Sequence, residues 1–132
     1  MSGSVAGRES LDALRRVVAE LPEAEERQGQ DEMSYAIAQS LAAGRSIIVQ
    51  AGTGTGKSLG YLVPALMSGK KTVVATATKA LQDQLNRNDL PLLARSIGVP
   101  FSWAVVKGRS NYVCIQRLKE LGDADNQLEE CW

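Results

Sequence analysis

The chain has 132 residues, enough for one small domain and too few for two. Its 15 basic and 15 acidic side chains cancel, so net charge argues neither for nor against a nucleic-acid partner, which needs only a local patch. The longest apolar run, Tyr61 to Met67, is far short of the roughly 20 residues that cross a bilayer, and the start "MSGSVAGRES" lacks the apolar core of a signal peptide. These features point to a cytoplasmic protein with no membrane partner, in which thiols stay reduced.

In chain order, residues 1–7 are small and read as a disordered start. Leu11, Leu14, Val18 and Leu21 recur at helical spacing, which predicts an amphipathic helix over 9–21, stopped by Pro22. The acidic run "EAEE" reads as a solvated connection. A second helix is expected over 29–43, with Met33, Ile37 and Leu41 on one face and Gly44 ending it. "SIIVQA", bounded by glycine-rich sequence, has the length and β-branching of a buried strand. A helix follows over about 57–68; Pro64 inside it predicts a kink near Gly60–Tyr61 or a late first turn. "KTVVATA" and "PFSWAVV" are two further expected strands. Between them, "TKALQDQLNRNDLPLLARSIG" reads as helix on either side of a break before Pro91. Strands alternating with helices imply a parallel sheet covered on both faces.

The chemistry concentrates in "AGTGTGKS", between the first expected strand and the helix after it. A strand, a glycine loop and a helix opening with Lys-Ser make a phosphate-binding P-loop. Gly52, Gly54 and Gly56, interleaved with Thr53 and Thr55, let backbone N–H groups approach anionic oxygens. The following helix adds its dipole. Lys57 supplies positive charge against β- and γ-phosphates, and Ser58 a hydroxyl for Mg²⁺. Ala51 stands where the pattern has glycine, a departure of one methyl group. Upstream, Gln30 carries an amide that can donate to and accept from adenine, with Arg27 in support; the same residues also read simply as a polar helix start.

Taken together, "RQGQ", "AGTGTGKS", "YLVPAL" and "TVVATATKALQDQL", in that order, resemble successive motifs of a superfamily 2 DNA helicase, closest to its DinG-like, XPD-like branch. "VVKGRSNYVC" resembles the segment of that branch leading into an iron–sulfur domain. The resemblance covers roughly residues 24–118. It implies an α/β fold of the P-loop NTPase class: a RecA-like three-layer α/β/α domain with a parallel sheet, of which this chain is the N-terminal, incomplete part. The implied divisions are a tail and helix over 1–22, the ATP-binding portion over 23–108, and the start of an iron–sulfur domain over 109–132. It also implies ATP and Mg²⁺ as ligands, single-stranded or forked DNA as partner, and 5′-to-3′ unwinding. Gln30 would read adenine, Ala51 to Ser58 would form the phosphate loop, and Thr76, Thr78 and Lys79 would touch the DNA backbone. Thr76 or Thr78 is equally suited to cap a helix, a role compatible with phosphate contact.

Cys114 matches the first cluster-ligating cysteine of the branch, and Cys131 is the candidate second ligand of a 4Fe-4S cluster. Such a cluster takes four thiolates, so the two cysteines cannot assemble it alone; the plain reading of each is a free thiol. No expected strand ends in the carboxylate that hydrolysis requires, and the second motor domain is missing. The expectation is therefore a chain that binds nucleotide without efficient turnover. The alternatives are a non-enzymatic nucleotide- or DNA-binding remnant and a different P-loop enzyme such as a small kinase. Unpaired strand edges predict self-association.

Overall fold

The computed structural model describes residues 5–22, 27–52 and 56–129, with side chains through residue 122. Its helices are α1 (Val5–Ala19), α2 (Gln28–Ala43), α3 (Lys57–Met67), α4 (Lys79–Gln84), α5 (Leu90–Ser96) and α6 (Ile115–Glu129). A π turn, Leu85–Asp89, joins α4 to α5, and a 3₁₀ turn, Arg109–Asn111, precedes α6.

The first three helices pack on one another, and α5 lies against α1. Ala13, Leu14 and Val17 of α1, Leu59, Leu62 and Val63 of α3, and Leu85, Leu93 and Ile97 form one apolar cluster. The buried face of α1 is Gly7, Ser10, Ala13, Leu14 and Val17. It is rotated from the expected Leu11–Leu14–Val18 line because its small residues let α2 come close. Gly7 lies directly under the Tyr35 ring, and Ser10 and Ser34 share a buried hydroxyl–hydroxyl bond of 2.9 Å. Helix α1 already includes Val5, Ala6 and Gly7, which the sequence placed in a disordered start; residues 1–4 of that start lie outside the described residues.

Helix α2 ends as expected at Gly44, whose φ of 62° is the left-handed conformation glycine adopts at low cost. The Leu41 carbonyl accepts from the Gly44 N–H at 3.4 Å and also from the Lys70 ammonium at 2.9 Å. Helix α3 neither starts late nor breaks: it runs from Lys57 through Pro64 to Met67. The carbonyl that Pro64 crowds belongs to Gly60, where no Cβ hinders adjustment, and Pro64 itself is fully buried. The expected break before Pro91 is instead a widened turn. Leu90 N–H bonds Leu85 O, a five-residue closure that leaves room for a proline with no N–H to give.

The three expected strands form no ladder among the described residues. A strand is stabilised by the neighbour it pairs with, and these segments find none. Their apolar side chains consequently stay open to solvent, with Ile48 99%, Val73 90% and Val106 83% exposed. Side chains, not backbone pairs, fix the third segment. Gln82 Nε2 donates to Val106 O at 3.1 Å, Trp103 Nε1 to Asn86 Oδ1 at 2.9 Å, and Lys107 pairs with Asp83 at 3.0 Å.

Candidate nucleotide site

The site is built where the loop before α3 meets the first turn of α2. Gly56 caps α3 with φ 68°, a left-handed conformation that turns the loop into the helix. Over it lies Gln30, which is buried and donates from Nε2 to Gly56 O at 2.8 Å. A Cβ on Gly56 would land on that amide nitrogen. Gly60, one turn on, faces Met33 and the Gln30 stem from the same side. The closeness of α2 and α3 thus depends on two glycines of α3, and it presses Gln30 onto the phosphate loop. One amide hydrogen and Oε1 of Gln30 are left for a further partner.

Lys57 folds back over its own loop. Its ammonium donates to Ala51 O at 3.1 Å and to Gly52 O. The ammonium is thus held by two backbone carbonyl oxygens of the segment that precedes α3. Thr53, Gly54 and Thr55 lie outside the described residues. Arg27 occupies the N-cap position of α2 in extended conformation, and its carbonyl accepts from Gln30 N at 2.8 Å and Asp31 N at 3.2 Å.

Ser58 has neighbours that the sequence did not announce: its hydroxyl lowers both the Tyr61 phenol, one turn along α3, and the Asp89 carboxyl from the π turn, against the effect of their burial. Asp89 in turn lies 3.5 Å from Gln84 Nε2. Burial raises the Asp89 carboxyl above its ordinary value, against the opposing pull of the hydrogen bonds from Ser58 and Gln84. Burial likewise raises Tyr61; its Ser58 bond opposes this and the Asp89 charge adds to it. A search confined to strand ends passes over Asp89, because it comes from a helix. The signal available in the sequence was "NDLP": a carboxylate two residues before a proline that must disturb the helix.

The residues expected at DNA are partly engaged with the backbone. Thr78 caps α4, its Oγ1 accepting from Leu81 N at 3.2 Å, and Thr76 Oγ1 donates to Thr78 O at 3.2 Å. The Thr78 hydroxyl proton is not consumed by that cap. Lys79, the first residue of α4, is exposed. Cys114 is exposed just before α6, and Cys131 lies outside the described residues. Among the described residues no three His, Cys, Asp or Glu side chains gather in a metal-binding group, and no helix is long and apolar enough to cross a membrane.

A lysine and a serine head α3 directly after Gly56, the described end of the glycine-rich segment. The comparison with known families gives the class. Residues 30–125 match the DEAD/DEAH box helicase family, and the chain belongs to it. It is DinG-like within that family. It is 42% identical over 108 residues to the ATP-dependent DNA helicase YoaA of Escherichia coli (strain K12), covering 82% of this chain and 17% of that protein. It is 44% identical over 112 residues to the ATP-dependent helicase DinG of Mycobacterium tuberculosis (strain H37Rv), covering 79% and 17% respectively. To the 3'-5' exonuclease DinG of Bacillus subtilis (strain 168) it is 31% identical over 105 residues, 76% of this chain and 11% of that one. The chain thus spans about a sixth of the length of the first two relatives. No solved structure matches it significantly. The family implies a P-loop, RecA-like fold, of which the described residues present the helices and extended segments without the sheet.

Proposed function

We propose that this chain is the nucleotide-binding, N-terminal portion of an ATP-dependent DNA helicase that unwinds in the 5′-to-3′ direction in the cytoplasm. The observation carrying this is the junction of α2 and α3. Gln30 is docked on Gly56 and Lys57 closes over the carbonyls of Ala51 and Gly52, all inside a region that matches the helicase family. The residues fit the ligands. Lys57 already satisfies oxygen acceptors at the loop, and the hydroxyl and carboxylate of Ser58 and Asp89 are the hard oxygen donors that Mg²⁺ prefers.

In this reading Ala51 to Ser58 bind the phosphates, Gln30 and Arg27 the adenine, and Ser58 the cation. When bound, Mg²⁺ neutralises phosphate charge. Thr76, Thr78 and Lys79 meet the backbone of single-stranded or forked DNA at the head of α4, through a hydroxyl proton and an ammonium that read no sequence. The segments 46–51, 71–77 and 100–106 become strands of a parallel RecA-like sheet when the remaining strands of the longer protein pair with them. The 4Fe-4S cluster does not fit this chain by itself, since two cysteines leave two positions unfilled. Cys114 and Cys131 are ligands only together with others.

The test is a titration with a fluorescent ATP analogue and Mg²⁺, beside Lys57→Ala, with phosphate release measured with and without single-stranded DNA. Binding that depends on Lys57, with no phosphate released, supports a nucleotide site whose catalytic acid and second motor domain lie elsewhere in the protein. DNA-stimulated release by this chain alone would overturn that division of labour. Equal binding by wild type and Lys57→Ala would overturn the site.

A further inference from the structure

The whole chain is neutral, but its charge is unevenly spread. From Thr76 to Lys119 there are seven basic side chains and two acidic ones, Asp83 and Asp89. The fold gathers part of this excess. Gln82, Asp83 and Asn86 bond Val106, Lys107 and Trp103 respectively, so the segment 103–107 runs antiparallel to α4 and the turn after it. That direction brings the Lys107 ammonium to 3.0 Å from Asp83. Lys79 stands one helical turn before Asp83, on the same face of α4. Arg87 approaches from beyond: the Asp83 carboxyl is lowered first by the hydrogen bond from Lys107, then by its charge, with the Arg87 charge adding to both. Three cations thus surround one carboxylate. Lys79 and Arg87 are exposed, and Lys107 is partly so.

Such a cluster attracts a polyanion, and what lies beside it narrows the kind. Trp103 is 41% exposed, with its indole N–H donating to Asn86 Oδ1 at 2.9 Å and its ring centroid 5.6 Å from that of Phe101. Cations next to an exposed aromatic ring suit a single strand of nucleic acid, whose phosphates meet the charges and whose unpaired bases can stack. A duplex keeps its bases stacked inside, and an acidic peptide has none. Asp83 works against the strand twice over: it repels phosphate and it occupies Lys107. Phosphate can displace it, because an exposed ion pair contributes little by itself.

We infer that Lys107 contacts the backbone phosphates of single-stranded nucleic acid, that Trp103 stacks on a base beside it, and that Asp83 competes with the phosphates for Lys107. This rests on the DNA-binding reading above and adds the segment 103–107 to the residues proposed there.

The experiment follows the fluorescence anisotropy of a labelled oligothymidylate titrated with the full chain over a series of salt concentrations. It compares wild type with Lys79→Gln, Lys107→Gln, Lys107→Arg and Asp83→Asn. Each phosphate neutralised on a single strand contributes about 0.7 to the slope of log K against log salt. Lys107→Gln should therefore flatten the slope by about 0.7, and Lys107→Arg should leave it as in wild type. Asp83→Asn should tighten binding at low salt by roughly 2- to 5-fold, the range set by an exposed ion pair. In a Trp132→Phe background, where Trp103 is the one remaining tryptophan, its emission should be quenched on binding. If Asp83 and Lys107 served only to hold 103–107 on α4, Asp83→Asn would loosen the segment and bind no better. An unchanged slope in Lys107→Gln, a slope lost equally in Lys107→Arg, binding by Asp83→Asn no tighter than wild type, or unaltered Trp103 emission overturns the inference. A slope that falls in Lys79→Gln alone does so while leaving the earlier DNA reading standing. No oligothymidylate binding by wild type at low salt overturns both.

Discussion

Replacing Gly56 with alanine tests the junction of α2 and α3 most directly. Two costs arise from separate causes. The φ of 68° places an L-residue in the left-handed region, which costs roughly 1–2 kcal/mol. The new methyl also lands on Gln30 Nε2, displacing a buried amide from its 2.8 Å bond to Gly56 O. A buried polar group left without its partner costs about 1–3 kcal/mol. The sum, about 2–5 kcal/mol, is a large share of the roughly 5–15 kcal/mol that holds a small domain together. The assay is urea unfolding followed by circular dichroism, run as a double-mutant cycle with Gln30→Ala. With Gln30 truncated there is nothing for the methyl to displace, so Gly56→Ala should then cost only the backbone component. The Gly56 O acceptor remains partnered in that background by Gly60 N–H at 3.2 Å, so no second penalty confuses the comparison. An equal loss in both backgrounds, or a loss under about 1 kcal/mol in the first, would refute the docking of Gln30 on the loop.

Four further outcomes are expected. Gly7→Ala puts a methyl into the Tyr35 ring and should destabilise the α1–α2 contact by about 1–3 kcal/mol, read as a lower urea midpoint; no change would mean that α1 does not lie against Tyr35. Thr78→Ala removes the cap on Leu81 N and should cost about 1 kcal/mol, whereas Thr78→Ser should restore most of it. The Asp89 carboxyl is raised by burial above its ordinary value of 3.8, so the folded state holds the proton more tightly than the unfolded one. Wild type should therefore gain stability relative to Asp89→Asn as pH falls from neutral through the raised value to 3.8, with no further gain below; a relative loss on acidification contradicts the assignment. Finally, the solvent-exposed side chains of Ile48, Val73 and Val106 should drive self-association, and a single monomeric boundary in sedimentation velocity at high concentration would count against it.

The helices were legible because their signals are local. Periodicity gave α2 within a residue at its start, and Gly44 gave its end, because a left-handed cap needs that residue. The glycine, lysine and serine of "AGTGTGKS" were legible as a motif; of it the structure describes Ala51, Gly52 and Gly56 to Ser58, with Lys57 opening α3 as expected. Pro64 and Pro91 were misread, because a proline forbids one bond and leaves open how the chain adapts. Gly60 absorbs the first and a widened turn the second. The strands were legible as composition and not as pairing, since a ladder belongs to two segments and periodicity describes one. The approach of the Leu85–Asp89 turn to α3 escaped on similar grounds, since it belongs to packing between two elements. So did the bond that Gln30 gives to Gly56 O, between residues 26 apart in sequence.

The widened turn at Leu85–Asp89 changes what kind of alteration this segment can absorb. An α-helix advances about 100° per residue, so a helix of fixed length aims each side chain by counting. The π turn inserts one residue into that count, and the aim of Asp89 includes it. Removing a single residue there would place Pro91 in a regular helix interior, where its ring crowds a carbonyl, and would rotate Asp89 by about 100° about the axis. Between Lys79 and Ser96, then, spelling is freer than length. Exposed side chains there can be exchanged widely, while the number of residues between Thr78 and Pro91 cannot.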